Sequence, residues 1–155
     1  MEKKVLYFSD SRFPLAAVAG AIHTGYLPVK AEPGVDELRR LPLPRAKKKS
    51  AGRILYHGRD GRGNKVYALW LKGEKGMPYR LIDSFLDLYR LPKEEFYMVD
   101  TPARDNALLV AGQFLRRMPL FSPLGLYLVR LGLKKEYGGL SSLVQKVIGN
   151  LTDLP

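Results

Sequence analysis

The sequence predicts a single three-layer α/β domain: a mixed, mostly parallel sheet with helices on both faces and one β-hairpin. Short apolar runs of strand length alternate with stretches of helical periodicity. The run Val5–Phe8 feeds a small-residue helix through a tight polar turn at Ser9–Arg12, the opening unit of such folds. The turn Asp60-Gly61-Arg62-Gly63-Asn64 separates two further apolar runs, as in a hairpin. A chain of 155 residues is long enough to bury one core, and the domain is expected to span 1–155.

The first helix has clear punctuation. Asp10 or Ser11 is placed to cap it, Pro14 is tolerated in its first turn, Gly25 stops it and Pro28 prevents its continuation. Ala16, Ala17, Ala19, Gly20 and Ala21 leave little side chain, so this helix can approach the sheet closely. A short helical turn follows at Gly34–Leu41. Residues 42–51 then read as an exposed, mobile basic loop within the domain. Arg53–Gly58 and Lys65–Lys72 are the hairpin strands, and Val66–Leu71 is apolar on both faces, which suits a strand covered on both sides. Pro78–Leu91 is helical, with Leu81, Ile82, Phe85, Leu86, Leu88 and Tyr89 at helix spacing. Phe96–Val99 is a strand, expected in the sheet interior and parallel to Val5–Phe8. Arg104–Arg117 is a helix with Leu108, Ala111 and Leu115 inward. Within Gly125–Leu133 the run LYLVRL predicts a strand, with helix as the other reading of the same run. Leu140, Leu143, Val144, Val147, Ile148 and Leu151 make a last amphipathic helix. The expected order is β-α-β-β-α-β-α-β-α.

The 46% hydrophobic content is that of a folded protein. There is no cysteine, which removes disulfides, thiolate nucleophiles and thiolate metal sites together. No apolar run approaches the ~20 residues that cross a bilayer, so no membrane span is expected. A cytoplasmic location fits these features. The formal charge is +11. Basic residues concentrate at Arg39, Arg40, Arg45, Lys47, Lys48, Lys49, Arg53, Arg59, Arg62 and Lys65, with Asp60 as the carboxylate among them. A field of that sign attracts phosphate-rich partners, nucleic acid included, although a solvated loop on a basic protein has the same composition.

In α/β folds ligands bind outside the carboxyl ends of the strands. Asp10 and Asp100 end two strands, so parallel pairing would put both carboxylates at one sheet edge, where a Mg²⁺ or general acid/base role is conceivable. Each also has a bland role, Asp10 as a helix cap and Asp100 in a turn before Thr101-Pro102. His23, in the last turn of a helix, is favoured there as a cation by the helix dipole, or packs as a structural histidine. His57 reads as a strand residue near the hairpin turn, and Trp70 with the tyrosines as core. No Ser-His-Asp order, zinc spacing or Walker loop appears, and nothing calls for a metal or cofactor.

Several short motifs carry a resemblance by their order and spacing. Ile22-His23-Thr24-Gly25 precedes Leu27-Pro28. Gly58-Arg59-Asp60 precedes Gly63-Asn64 and Val66-Tyr67. Val99-Asp100 ends the later strand, and Leu131-Gly132, Tyr137, Leu140 and Leu143-Val144-Gln145 follow. Together they resemble an uncharacterised group of small bacterial domains of the spore-forming Firmicutes, the domain-of-unknown-function family numbered 3189. Members of that family have a glycine, histidine and serine turn after the first strand. This chain has Ser11-Arg12-Phe13-Pro14-Leu15-Ala16 there. A phosphate cradle needs open backbone N–H groups and small side chains. Pro14 has no N–H, and Phe13 and Leu15 are bulky. The resemblance therefore implies a degenerate turn, with Ser9, Ser11 and Arg12 as a residual anion site. It also lends functional weight to His23.

The reading that follows is a non-catalytic binding or regulatory domain. One alternative is an RNA- or DNA-binding module using Arg45, Lys47, Lys48, Lys49, Arg59 and Arg62. Another is an enzyme acting on a phosphorylated small molecule through Asp10, His23 and Asp100. A phosphate-bearing ligand or nucleic acid is the expected partner, and the sequence names no protein partner.

Overall fold

The computed structural model describes residues 2–41, 52–71 and 76–153. Arg45, Lys47, Lys48 and Lys49, with the whole basic loop 42–51, lie outside the described residues. Four strands form one sheet in the order β2-β3-β1-β4. They are β1 (Lys4–Ser9), β2 (Ile54–Arg59), β3 (Lys65–Trp70) and β4 (Phe96–Asp100). β1 pairs in parallel with β3 on one side and with β4 on the other. β2 and β3 form the antiparallel hairpin that the turn sequence predicts. β4 is at the edge of the sheet, so the expectation of an interior strand at Phe96–Val99 is corrected. Its residues are accordingly only half-buried apart from Val99.

Strand alternation divides the core between two faces. Val5 and Tyr7 of β1, Val66 and Ala68 of β3 and Val99 of β4 face four helices. These are α1 (Leu15–His23), α2 (Val35–Arg40), α4 (Ala107–Leu115) and α5 (Ser122–Asp153). Leu6, Phe8 and Leu69 face the other way and pack with Ile82 of α3 (Met77–Leu88). The helices therefore lie on both faces of the sheet.

The alanine-rich α1 is buried along its whole length, as its small side chains predict. It approaches β2 closely at Gly20, where an added Cβ would meet His57 Cδ2 at 2.8 Å. His57 itself sits in a β-bulge, where the register of β2 slips between Tyr56 and Gly58. The expected side-chain cap of α1 by Asp10 or Ser11 is replaced: the helix starts after Pro14, and Ser9 Oγ accepts from the Ala16 N–H at 3.3 Å.

The chief correction is at the carboxyl end of the chain. Residues 125–133 are not a strand. They belong to α5, a continuous helix of 32 residues. The buried residues Leu126, Val129, Leu133, Tyr137, Leu140, Val144, Val147 and Leu151 recur every three or four positions. That stripe buries one face of α5 against the core from end to end, and a strand could not present it. The observed order is thus β-α-α-β-β-α-β-α-α. No helix among the described residues is long and apolar enough to cross a membrane.

Candidate functional site

The parallel pairing of β1 and β4 brings two loops to one edge of the sheet, the place where α/β folds bind ligands. The loop after β1 carries Asp10, Ser11, Arg12 and Phe13. The loop after β4 carries Thr101, Ala103, Arg104 and Asp105. Between them lies an open cleft of ≈ 370 Å³ lined by Asp10, Ser11, Ala103, Arg104 and Asp105.

The loops are joined by a carboxylate. Asp105 accepts the backbone N–H of Arg12 at 2.5 Å and that of Phe13 at 2.9 Å. Successive amides at a helix start make an anion-binding concavity. Here the anion is a side chain of the same protein. Ser9 and Ser11 are buried, and both are engaged locally: Ser9 with the Ala16 amide, and Ser11 donating to the Phe13 carbonyl. Trp70 Nε1 donates to the Ser11 carbonyl and fixes the loop from β3. The Arg12 side chain is exposed. Thr101 is buried, and its hydroxyl has no hydrogen-bond partner in the structure.

Asp100 shares the edge with Asp10 but not the cleft. In register with Phe8, it belongs to the sheet face that α3 covers. There it acts on Tyr79, whose hydroxyl is shifted upward by burial first and by the Asp100 charge second. The second carboxylate lining the cleft with Asp10 is Asp105. Sequence reasoning missed Asp105. Its one signal was position: it precedes Asn106, whose side chain accepts from the Leu109 N–H and caps α4, so the loop geometry there is fixed.

His23 lies at the opposite edge. α1 carries it away from the cleft to the β2–β3 turn, where its Nε2 is 3.2 Å from Asp60 Oδ2. Its Nδ1 is 2.7 Å from the Tyr7 hydroxyl. An ionised carboxylate only accepts, so Nε2 carries the proton and donates to Asp60, and Nδ1 accepts from Tyr7. The pKa directions agree with that assignment. Burial holds His23 below its ordinary value, against the pull of Asp60. Burial pushes the Tyr7 phenol up and keeps it protonated. Burial also raises Asp60, but hydrogen bonds from the Asn64 side chain, the Arg62 and Asn64 amides and His23 outweigh it and leave the carboxyl low. The side chain of His23 is 0% exposed. The three catalytic candidates Asp10, His23 and Asp100 therefore occupy three different environments. Among the described residues, no cluster of three or more His, Asp or Glu is arranged to hold a metal ion.

The described part of the basic surface is partly neutralised. Glu2 pairs with Arg59 at 2.6 Å and with Lys65 at 2.7 Å, and these two cations hold its carboxyl down at about 2. Arg62 donates to the Thr152 hydroxyl at the end of α5.

Fold and cleft define a three-layer α/β domain whose ligand edge is crossed by an internal carboxylate. The family model described as "Protein of unknown function (DUF3189)" matches residues 4–148, and the chain belongs to that family. No curated protein and no solved structure gave a match.

Proposed function

We propose that this chain is a non-catalytic binding or regulatory domain whose ligand site is the cleft between β1 and β4, closed by Asp105 against a phosphate-bearing ligand. The observation that carries this reading is the Asp105 carboxylate on the amides of Arg12 and Phe13. Those amides are the groups that would hold a phosphate in a loop of this kind. A ligand has to displace Asp105 to reach them, with Arg12 and Arg104 supplying charge beside the freed loop. Asp10 opposes it. Binding is therefore weak and reversible, which suits a sensor better than an enzyme. The candidate base His23 supports the same view, being buried at the other sheet edge between Tyr7 and Asp60. The nucleic-acid alternative has less support, because Glu2 occupies Arg59 and Lys65.

Calorimetric titration with inorganic phosphate tests the proposal. The unmodified protein should bind weakly. Asp105→Ala should bind about tenfold tighter or better, the equivalent of losing one competing charge-assisted hydrogen bond. Adding Arg12→Ala should abolish the gain. Equal affinities for the unmodified protein and Asp105→Ala would end the closed-site reading.

A further inference from the structure

We propose that the α4–α5 hairpin is a wedge that docks this protein onto an anionic lipid surface. The first ground is where the hairpin points. Near the carboxyl end of α5, Asn150 Nδ2 reaches the hydroxyl of Tyr97 at the start of β4, at 3.2 Å. Eighteen residues earlier in the helix, the Gly132 carbonyl accepts from Asn106, beyond the other end of β4, at 2.9 Å. α5 thus spans the strand direction between Asn150 and Gly132. Residues 122–131 run on past the carboxyl edge of the sheet for about 15 Å at the helical rise. α4 leaves the sheet beside them, antiparallel.

The hairpin is also stiff. An added Cβ on Gly112 would stand 2.7 Å from the Gly125 carbonyl oxygen, and one on Gly125 would stand 2.7 Å from the Gly112 carbonyl oxygen. The two backbones touch, and no side chain separates them.

The tip is apolar and open to solvent. Leu120 is 84% exposed, Phe121 45%, Leu124 51% and Tyr127 49%. Leu120 stands on the turn joining the helices and is the most exposed of the four. The flanking charge has one sign. Residues 106–135 contain Arg116, Arg117, Arg130, Lys134 and Lys135 and no aspartate or glutamate. Arg117 and Arg130 are exposed on the hairpin, while Lys134 lies beyond Gly132, back at the level of the sheet, 3.8 Å from Glu32.

Charge complementarity selects the occupant. An anionic bilayer surface accepts apolar side chains below a layer of phosphates, which is the arrangement this tip offers. An exposed turn of this kind needs no matching groove in a fluid surface. A second copy of the chain would bring the same Arg117 and Arg130 and a net charge of +11 against the first.

Co-sedimentation of the full chain with vesicles tests the proposal. Vesicles of equal parts phosphatidylglycerol and phosphatidylcholine should carry the protein down, and pure phosphatidylcholine vesicles should not. Added salt should weaken the binding. Leu120→Asn with Phe121→Asn removes the apolar tip without changing the charge and should lower the partition coefficient by about tenfold or more. Both positions are exposed, and unchanged circular dichroism confirms that the variant is folded. Arg117→Ala with Arg130→Ala should weaken binding and flatten its salt dependence. Full binding by the Asn variant, whose net charge is unchanged, would mean that net charge alone attracts the protein, and would overturn the wedge. So would failure to bind mixed vesicles, or a dimer that buries Leu120 and binds no lipid.

Discussion

The carboxylate of Asp105 stands 2.9 Å from the backbone nitrogen of Phe13, 92 residues earlier in the chain. With the Arg12 amide it ties the β1 loop to the β4 loop. Phe13 is fully buried, so its amide loses a charged acceptor when the carboxylate is removed.

Asp105→Ala should therefore destabilise the fold. Losing a charged acceptor from a buried amide costs about 2 kcal/mol, which lowers Tm by roughly 4–8 °C in a domain of this size. Asp105→Asn keeps one acceptor and should fall between. Scanning calorimetry measures both. An unchanged Tm for Asp105→Ala would show that the loop does not depend on the carboxylate. This readout is separate from the phosphate titration, so structural and ligand-blocking roles are resolved independently.

The glycines of the hairpin and those of the outer α5 surface should respond in opposite directions. An alanine at Gly112 drives a methyl into the Gly125 carbonyl and the Val129 nitrogen, at 2.7 and 2.8 Å. Overpacking of that kind costs about 1–3 kcal/mol. At Gly138 and Gly139 nothing lies within 4 Å of the added Cβ, and both are inside the helix. Alanine there should stabilise by about 0.5–1 kcal/mol each, through helix propensity and a less flexible unfolded chain. Urea titrations of the single variants would show it. The same sign at Gly112 and Gly138 would contradict the close backbone contact.

Those glycines also explain the largest misreading of the sequence. Gly132 and Gly138-Gly139 look like breaks, and LYLVRL is a continuous apolar run of strand length. A window of that length cannot separate strand from helix. The longer stripe from Leu126 to Leu151 does separate them, and it crosses the glycines without a change of phase. Gly132 leaves room for α4 to pack against it, with Leu109 Cγ at 2.8 Å from the position of a Cβ. The β1–turn–α1 unit and the hairpin were legible because their signals are local: an apolar run, a turn and small residues within about a dozen positions. The Asp105 contact and the Tyr7–His23–Asp60 relay were not, since their partners lie 16 to 93 residues apart. One chain without relatives aligned to it carries no mark of such pairs.

Stability should fall as the solution is acidified from pH 6.5 toward 4. Burial holds His57 at about 4 in the folded protein, against an ordinary value of 6.5. His23 is also held below its ordinary value, by burial. In that window the unfolded chain binds protons at both histidines that the folded protein refuses. Acid therefore favours unfolding, and the stabilisation is complete only above about pH 6.5. His57 Nε2 is buried without a hydrogen-bond partner, so His57→Leu removes a titrating group and no hydrogen bond from that atom. Chemical denaturation at several pH values should give a shallower acid slope for His57→Leu than for the unmodified protein. Parallel slopes would show that His57 protonates freely in the fold.

The relay at the amino edge of the sheet makes a prediction about a single proton. Asp60 accepts from the Arg62 amide, the Asn64 amide and the Asn64 side chain, each at 2.9 Å, and from His23 at 3.2 Å. An anion held so firmly fixes the neutral imidazole as the tautomer protonated at Nε2, and leaves Nδ1 to accept from Tyr7. The nitrogen-15 shifts of His23 at neutral pH should therefore show a protonated Nε2 and a bare Nδ1. Tyr7→Phe removes the donor to Nδ1 without touching Asp60. It should keep that tautomer and cost about 1–2 kcal/mol for the buried acceptor left unpaired. Asp60→Ala removes the anion that selects the tautomer and strands the turn amides as well. It should cost more than Tyr7→Phe and mix the two His23 tautomers. A His23 protonated at Nδ1 in the unmodified protein would reverse the direction of the relay. Tyr7 would then accept from His23, and Nε2 would have no proton to give Asp60.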